Sequence, residues 1–285
     1  MANITDIKAR IKSINDTRQI TKAMELISVS KVKRAQEYFD KNLLYFKSLI
    51  KAISDLLANG DCADDCEKYF NASFEGRTVY VVISSDKGLA GGYNHNVLNH
   101  ALNIIKEDKD STIITYGRTA AEFFKRNGYQ VAKEYSSIGN PSLKDARDIA
   151  YDLYKQFDEG AIDGAHIVYT DMDESGVQKP VCFEVLPLDR TQFDQSSKFG
   201  ATMIYDPSAE VVLSNLIPQY IIGLVYSILL HASVSEHKAR MVAMESATRN
   251  ADEMLDKLRL EYNRARQESI TNELLEIVSG SLGGK

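Results

Sequence analysis

The first part of the chain follows a helical hydrophobic pattern. Isoleucines between residues 4 and 14 recur at spacings of three and four, which is the heptad pattern of a coiled-coil seam. The apolar positions then resume one step off at Ile20, Met24 and Ile27, and this shift predicts a local change in the winding of the coil. Because no glycine or proline interrupts residues 1–58, we predict that they form one long N-terminal helix.

The pattern changes in the middle segment, residues 59–206. An acidic stretch at 61–76 is interpreted as a linker, and β-rich runs then alternate with helical runs. Strands are predicted at 78–84, 111–116, 165–170 and 181–188, and helices at 93–108, 118–127 and 143–157. This alternation predicts a small Rossmann-like α/β domain with a mostly parallel sheet.

Helical patterning returns in the last segment, residues 207–285. Asp206 is the predicted N-cap and Pro207 the first helical residue, and we expect Pro218 to kink or delay the helix. Both terminal helices are too long for a small domain to cover. We therefore predict that they pack on each other as a long antiparallel coiled coil, on partners, or on both.

Charge is unevenly distributed along the chain. The 285 residues carry a net charge of −6, which gives no support to a general nucleic-acid role. Residues 1–36, however, hold eight Lys and Arg against three Asp and Glu, a net charge of +5. Within them Lys31, Lys33 and Arg34 lie close together and are called the basic cluster below. Two interpretations of this cluster stay open: a solvated helix face, or an electrostatic contact with an acidic partner.

Composition narrows the class of protein further. The most apolar run, residues 217–230, is shorter than the about 20 residues that a membrane-spanning helix needs. We therefore expect a soluble protein. Three cysteines fit a reducing compartment, and Cys62 and Cys66 form a C-x3-C pair that no second ligand pair follows, so we predict no zinc site.

A glycine-rich segment at residues 84–94 reads SSDKGLAGGYN and raises the question of nucleotide binding. It follows a predicted strand and precedes a predicted helix, as phosphate-binding loops do. It nevertheless lacks both the G-x-x-x-x-G-K-[ST] and the G-x-G-x-x-G patterns, so a tight turn is favoured. The five histidines show no metal-ligand spacing of four residues, and we predict no catalytic residue, metal or cofactor.

Five segments together resemble the gamma subunit of F-type ATP synthases. They are ITKAMELISVSKVKRAQ (20–36), SSDKGLAGGYN (84–94), NPSL (140–143), ARMVAMESATRNADEML (239–255) and YNRARQESITNELLEIVSG (262–280). Ala90 departs from the family pattern, in which many members have cysteine, so thiol chemistry at that loop is excluded. No segment looks like a transit peptide, which favours a bacterial type.

The resemblance implies a non-catalytic central rotor shaft. Its terminal helices would form a coiled coil inside a hexamer of alpha and beta subunits, with the α/β domain below it, beside the epsilon subunit and the ring of c subunits. Rotation of the shaft would couple ion flow to ATP synthesis or hydrolysis on beta. The chain would then lie peripherally at the cytoplasmic face of the bacterial membrane and bind no cofactor and no nucleic acid.

The resemblance also implies the residues that contact the stator. Met24 and Arg240 would lie near the beta segment that couples rotation to catalysis, and the basic cluster with Lys87 would face an acidic segment of beta. The upper contact with a loop of beta would use four polar residues: Arg266, Gln267, Thr271 and Glu273. Tyr205 and Asp206 would form the foot that touches the ring. The apolar terminal residues 270–285 would be covered by the hexamer.

Two other readings use the same layout. One is a small α/β enzyme with helical oligomerisation arms, which requires a catalytic set. The other is a coiled-coil scaffold protein, which requires neither the basic cluster nor the apolar C-terminal end.

Overall fold

The computed structural model describes residues 4–59, 69–70, 77–108, 110–136, 141–172, 177–193 and 205–282. The helices are α1 (Ile4–Asn59), α2 (Tyr93–Glu107), α3 (Arg118–Arg126), α4 (Leu143–Asp158) and α5 (Ala209–Leu282). The strands are β1 (Thr78–Ile83), β2 (Thr112–Tyr116), β3 (Val131–Tyr135), β4 (Gly164–Met172) and β5 (Gln178–Leu186). A short 3₁₀ helix, Arg190–Phe193, follows β5. Most of the predicted linker at 61–76, including Cys62 and Cys66, lies outside the described residues. Its two described residues correct the linker prediction, because Tyr69 is buried in the core and Phe70 packs against that core.

Internal contacts divide the chain into two compact units. The described residues of Ser30–Ala239 form one of them, here called the α/β unit. Those of Met1–Val29 and Arg240–Lys285 form the other, here called the helical-pair unit. The division into segments 1–58, 59–206 and 207–285 stays a prediction.

The sheet of the α/β unit has five strands in the order β3-β2-β1-β4-β5. The first four are mutually parallel, and β5 runs antiparallel to β4 at one edge. The predicted α/β class with a mostly parallel, Rossmann-like sheet is therefore confirmed. Strands β1 and β4 are neighbours, and the chain leaves β1 towards β2 but leaves β4 towards β5. The strand order therefore reverses between β1 and β4, which is the position where such folds have a ligand crevice.

Strand β3 was not predicted, because its composition is that of an exposed edge. Lys133 and Glu134 are exposed, and Glu134 forms an ion pair with Lys125 of α3 at 2.5 Å. Lys133 pairs with Asp152 of α4. Charged side chains suit an edge strand, because they discourage pairing with other chains, but they remove the apolar alternation that identifies a strand.

Both faces of the sheet are covered by helices. Val79, Val81 and Ile83 of β1 belong to a core cluster with α1, α4 and α5. Tyr80 and Val82, which alternate with them, belong to a second cluster with α2 and α3. Burial on both faces explains why β1 is a nearly continuous apolar run.

This core accounts for part of the apolar composition of helix α5. An 18-residue window in it has a mean hydropathy of 1.6, so by length and composition alone it could cross a membrane, which corrects the prediction that the run is too short. Ile217, Tyr220, Ile221 and Val225 in this stretch are buried against the sheet and α1. A core helix passes the same test, and packing accounts for these side chains.

The start of α5 also differs from the prediction. The helix begins at Ala209, and Ser208 rather than Asp206 caps it: the Ser208 Oγ accepts a hydrogen bond from the backbone N–H of Val211 at 3.3 Å. Pro218 lies inside the helix and does not delay its start.

The helical-pair unit is antiparallel. Lys8 lies over the ring of Tyr262, with 5.6 Å from Nζ to the centroid. Further along α1, Thr21 contacts Thr248, whose hydroxyl donates to Thr21 Oγ1 at 2.9 Å. Residue numbers thus rise along α1 while they fall along α5, as the coiled-coil prediction requires.

The predicted step in the seam is wrong. The spacing of three and four continues past Ile14 without a shift, through Arg18, Thr21, Glu25 and Ser28, of which Thr21 and Ser28 are buried. Polar side chains form the seam in this stretch, so the apolar residues beside them face outward. Three large apolar side chains are more than half exposed: Ile20 (60%), Leu26 (59%) and Ile27 (56%).

Candidate functional site

The segment after β1 forms a closed turn held by its own polar side chains. The backbone N–H of Ser85 donates to Asn94 Oδ1 at 3.0 Å, and the Ser85 hydroxyl donates to the carbonyl of Lys87 at 2.6 Å. Leu89 and Gly91 adopt positive φ of 64° and 58°, so glycine explains only one of the two left-handed positions. These bonds use polar groups that a phosphate-binding loop would present to its ligand.

The N-terminus of α3 at the carboxyl end of β2 is satisfied in the same way. The first N–H groups of α3 donate to Asp86 Oδ1 (from Arg118, 2.8 Å) and to Ser84 Oγ (from Ala120, 2.8 Å). The backbone carbonyl of Ser85 accepts the N–H of Thr119 at 3.2 Å. A helix N-terminus attracts anions because its N–H groups lack partners, and here the protein supplies those partners itself.

The crevice between these loops is filled by α5. Only about 10 Å³ of space remains beside Ser84, Tyr93 and Tyr116, against Ala232 and Glu236 of α5. The Tyr93 hydroxyl donates to the carbonyl of Ala232 at 3.2 Å and fixes α5 in place. This volume holds one water at most, so the space between the ends of β1 and β2 has no room for a nucleotide.

Other side chains that could take part in chemistry are partly buried and lie beside carboxylates of the fold. His231 lies 3.1 Å from Asp171, and burial is the main cause that lowers its pKa, opposed by that carboxylate. Burial, with Glu184 nearby, raises the pKa of Cys182 to about 11, so its thiol stays protonated and weakly nucleophilic. Among the described residues no group of three or more His, Cys, Asp or Glu could hold a metal ion.

The predicted contact residues of the α/β unit lie on its surface. The basic cluster is exposed on α1, and Lys87 is exposed in the turn after β1. Asp206 is exposed just before α5. Tyr205 is half-buried, and its hydroxyl donates to the carbonyl of Asp55 at 3.4 Å, so part of its role is to hold the chain against α1.

The predicted contact residues of the helical-pair unit fall into two groups. Met24 and Arg240 are half-buried. Arg266, Gln267, Thr271 and Glu273 are all exposed on α5. The Thr271 hydroxyl donates to the carbonyl of Gln267 at 2.8 Å, a local helix bond that leaves the outward surface accessible.

The structure adds exposed apolar residues that sequence reasoning missed or placed elsewhere. Ile20 and Ile27 had been assigned to the seam between the helices, but both face outward, as does Leu26. On α5, Val242, Met254 and Leu260 are each more than half exposed. A signal was available: extending the spacing of three and four beyond Ile14 leads to Arg18 and Thr21 and leaves these isoleucines on the outside.

A Rossmann-like sheet, in a chain whose helical pair exposes apolar side chains, is typical of a structural subunit of a larger assembly. Comparison with known proteins identifies the assembly. The family model described as ATP synthase matches residues 3–282. The chain belongs to the ATP synthase gamma-chain family.

Two relatives and two solved structures illustrate the match. The chain is 41% identical to the ATP synthase gamma chain of Alkaliphilus metalliredigens, covering 97% of this chain and 96% of that one. It is 38% identical to the gamma chain of Acetivibrio thermocellus, covering 99% of both.

The fold is similar to a chain of the Euglena gracilis mitochondrial ATP synthase (OSCP/F1/c-ring), with a TM-score of 0.66 and 18% identity over 98% of this chain and 94% of that one. A chain of the central stalk and c-ring of the Tetrahymena thermophila enzyme gives a TM-score of 0.59 at 21% identity, covering 80% of this chain and 99% of that one. These two likenesses establish the fold.

Proposed function

We propose that this chain is the central rotor subunit of a bacterial F-type ATP synthase. The observation that carries the proposal is its 36–41% identity, over nearly its whole length, to bacterial proteins named ATP synthase gamma chain. As a rotor, the chain is not itself catalytic. It couples ion flow through a membrane ring to ATP synthesis or hydrolysis on beta subunits by turning inside them.

The partners follow from that position. The helical-pair unit lies inside a hexamer of alpha and beta subunits, and the α/β unit contacts the epsilon subunit and the c ring. The chain is bound to the membrane only peripherally, through the complex, at its cytoplasmic face. Exposed apolar residues such as Ile20, Ile27 and Leu260 support this arrangement, because a hexamer interior would remove them from water.

The contact residues divide by chemistry. The basic cluster and Lys87 face acidic residues of beta, and they are exposed as such a role requires. Pairs between exposed charges contribute only about 0–1 kcal/mol each, so they can be exchanged as the rotor turns. Met24 and Arg240 lie near the coupling segment of beta, and Arg266, Gln267, Thr271 and Glu273 form the upper contact. Tyr205 and Asp206 form the foot on the ring.

The first experiment tests the assignment as a whole. A tagged chain expressed from its native locus is purified from solubilised membranes, and the associated subunits are identified by mass spectrometry. We expect alpha, beta and epsilon in an assembly with ATPase activity. If the chain is recovered alone and has catalytic activity of its own, the enzyme reading is supported instead. If it is recovered with proteins other than these subunits, the scaffold reading is supported.

The second experiment tests the role of Met24. Met24→Lys places a charge where a flexible, uncharged side chain slides past beta. A charge-assisted hydrogen bond to a beta carboxylate would cost about 1.5–3 kcal/mol to break at each step. We expect ion pumping in inverted vesicles to fall more than ATP hydrolysis.

Met24→Leu is the control, because it keeps size and neutrality, and it should leave the ratio of pumping to hydrolysis unchanged. Equal loss of pumping and hydrolysis in Met24→Lys, or loss of neither, contradicts the assigned role.

A further inference from the structure

A pocket of about 490 Å³ opens in the α/β unit between α1, the start of α4 and α5. Its size falls within the range of small-molecule sites. It lies apart from the closed crevice at the strand ends and includes none of the residues assigned to stator or ring contacts. We call it the tyrosine pocket, because three of its lining residues are tyrosines: Tyr38, Tyr45 and Tyr226.

The walls of the tyrosine pocket are preorganised. Asn42 of α1 donates to the carbonyl of Gly223 at 3.3 Å and to the hydroxyl of Ser227 at 2.7 Å, both on α5. The Tyr45 hydroxyl donates to Gln219 Oε1 at 3.2 Å. A Cβ at Gly223 would lie 3.2 Å from the Phe46 ring, so glycine permits the close approach of α1 and α5 that forms the floor. These bonds fix the pocket before any ligand arrives.

The charged side chains that line the pocket are both cations. Lys41 and Arg147 line it, and none of its described lining residues is a carboxylate. Arg147 is exposed, and the structure gives it no ion pair with a described residue, while Lys41 lies 6.0 Å from the centroid of the Tyr38 ring. In a chain of net charge −6, a pocket whose described lining holds two cations and no carboxylate favours an anion.

The remaining lining is apolar and aromatic. Leu143 and Ile222 contribute aliphatic surface, and the phenol rings offer flat faces for stacking. Burial and the neighbouring Tyr38 raise the pKa of Tyr226, so its phenol stays protonated and able to donate a hydrogen bond. Apolar walls with a few polar groups at fixed positions are typical of sites for small organic molecules.

We propose that the tyrosine pocket binds a small aromatic carboxylate, with its ring among the tyrosines and its carboxylate held by Arg147 and Lys41. The planar guanidinium of Arg147 can hold a carboxylate through two parallel hydrogen bonds, and Lys41 adds a second charge. A neutral molecule of the same shape gains the stacking but neither charged contact.

A matched pair of probes tests this selectivity. 1-Naphthaleneacetate and its neutral amide, 1-naphthaleneacetamide, share one ring system and differ in charge. The chain contains no tryptophan, and excitation at wavelengths longer than its 15 tyrosines absorb lets the fluorescence anisotropy of the naphthalene report binding to the purified full-length chain. We expect saturable binding of the acetate at one site, at least about tenfold tighter than that of the acetamide.

Charge-neutral variants locate the site. Lys41→Gln with Arg147→Gln should weaken acetate binding at least about tenfold and leave acetamide binding unchanged. Lys47→Gln with Lys144→Gln removes two exposed lysines from the same two helices, outside the pocket lining, and should change neither. Far-UV circular dichroism verifies that both variants are folded. The proposal is overturned by equal affinity for the two probes, by equal weakening in both double variants, or by the absence of saturable acetate binding.

Discussion

Helices α1 and α5 contribute to both units, and they bury different side chains in each. In the α/β unit α1 buries Ile53 and Leu56, and α5 buries Ile217 and Ile221. In the helical-pair unit the seam of α1 passes through Arg18, Thr21, Glu25 and Ser28, while neighbouring isoleucines are exposed.

This difference distinguishes the side chains that stabilise the folded chain from those that are available for contacts with partners. Burying a large apolar side chain contributes about 1.5–3 kcal/mol relative to leaving it exposed, so the α/β unit derives its stability from its own residues. The helical-pair unit leaves much of that contribution unrealised in the free chain. Its exposed apolar residues can gain it only when a partner covers them. Four predictions test this comparison, from the largest expected effect to the smallest.

Replacing one tyrosine in each unit by alanine should give very different losses of stability. Tyr220 is 1% exposed and its ring lies 5.1 Å from those of Phe46 and Phe193, so Tyr220→Ala should cost about 3–5 kcal/mol. Tyr262 is partly exposed below Lys8, so Tyr262→Ala should cost about 0.5–1 kcal/mol. Urea unfolding followed by far-UV circular dichroism measures both, and equal losses contradict the comparison.

Substitution at a constrained backbone position of the α/β unit should also lower its stability. Gly117 has a φ of 104°, and a Cβ there would lie 2.2 Å from the carbonyl oxygen of Ser84, so Gly117→Ala requires the backbone to move. We expect a loss of at least about 2 kcal/mol in the free energy of unfolding. Gly128→Ala is the control, because its φ of 81° is also positive but no atom lies within 4 Å of the added Cβ. It should cost only about 1–2 kcal/mol, and a control loss as large as that of Gly117→Ala would show that strain alone matters.

The polar seam should show coupling without much net stabilisation. The single proton of the Thr248 hydroxyl is shared between Thr21 Oγ1 at 2.9 Å and the carbonyl of Met244 at 2.8 Å, while the Thr21 hydroxyl donates to the carbonyl of Arg18 at 3.0 Å. In a double-mutant cycle of Thr21→Val and Thr248→Val we expect a coupling of about 0.5–1.5 kcal/mol. The double variant should lie near the parent, since valine matches threonine in shape. A loss above about 3 kcal/mol in the double variant would show that the polar seam is a major source of stability.

The smallest effect is expected at the ion pair of the helical-pair unit. Arg18 lies 2.5 Å from Asp252, and both side chains are about half exposed, at 43% and 50%. Arg18→Gln should therefore cost about 0.2–1 kcal/mol at low salt and almost nothing in concentrated salt. In an Asp252→Asn background the same substitution should have no further effect. A loss that persists in concentrated salt would indicate that Arg18 acts through packing of its stem.

The sequence predicted features that depend on local composition. Strand β1 and the helices around it were correct because burial on both faces leaves a continuous apolar run. Strand β3 was missed because Lys133 and Glu134 belong to an exposed edge. The seam was misplaced because apolar residues were assumed to be buried, whereas Thr21 and Ser28 are buried instead.

For the candidate site, too, the sequence predicts only what depends on local composition. The motif at 84–94 does not match the known phosphate-binding patterns, and its surroundings depend on residues distant in sequence. Tyr93 meets Ala232, and the tyrosine pocket joins Tyr38 to Arg147 and Tyr226. These residues come together only in the folded chain. The spacing of residues along a single helix or strand therefore could not predict that they are neighbours.

The filled crevice makes α5 an intramolecular ligand of its own sheet. Because α5 is tethered to the sheet, its effective concentration at this site is on the order of millimolar or more, and Tyr93 holds it through Ala232. A free nucleotide would have to displace a helix that is never diluted. The shape of the α/β unit should therefore be insensitive to the energy state of the cell. The stiffness of this part of the shaft should then not vary with ATP concentration.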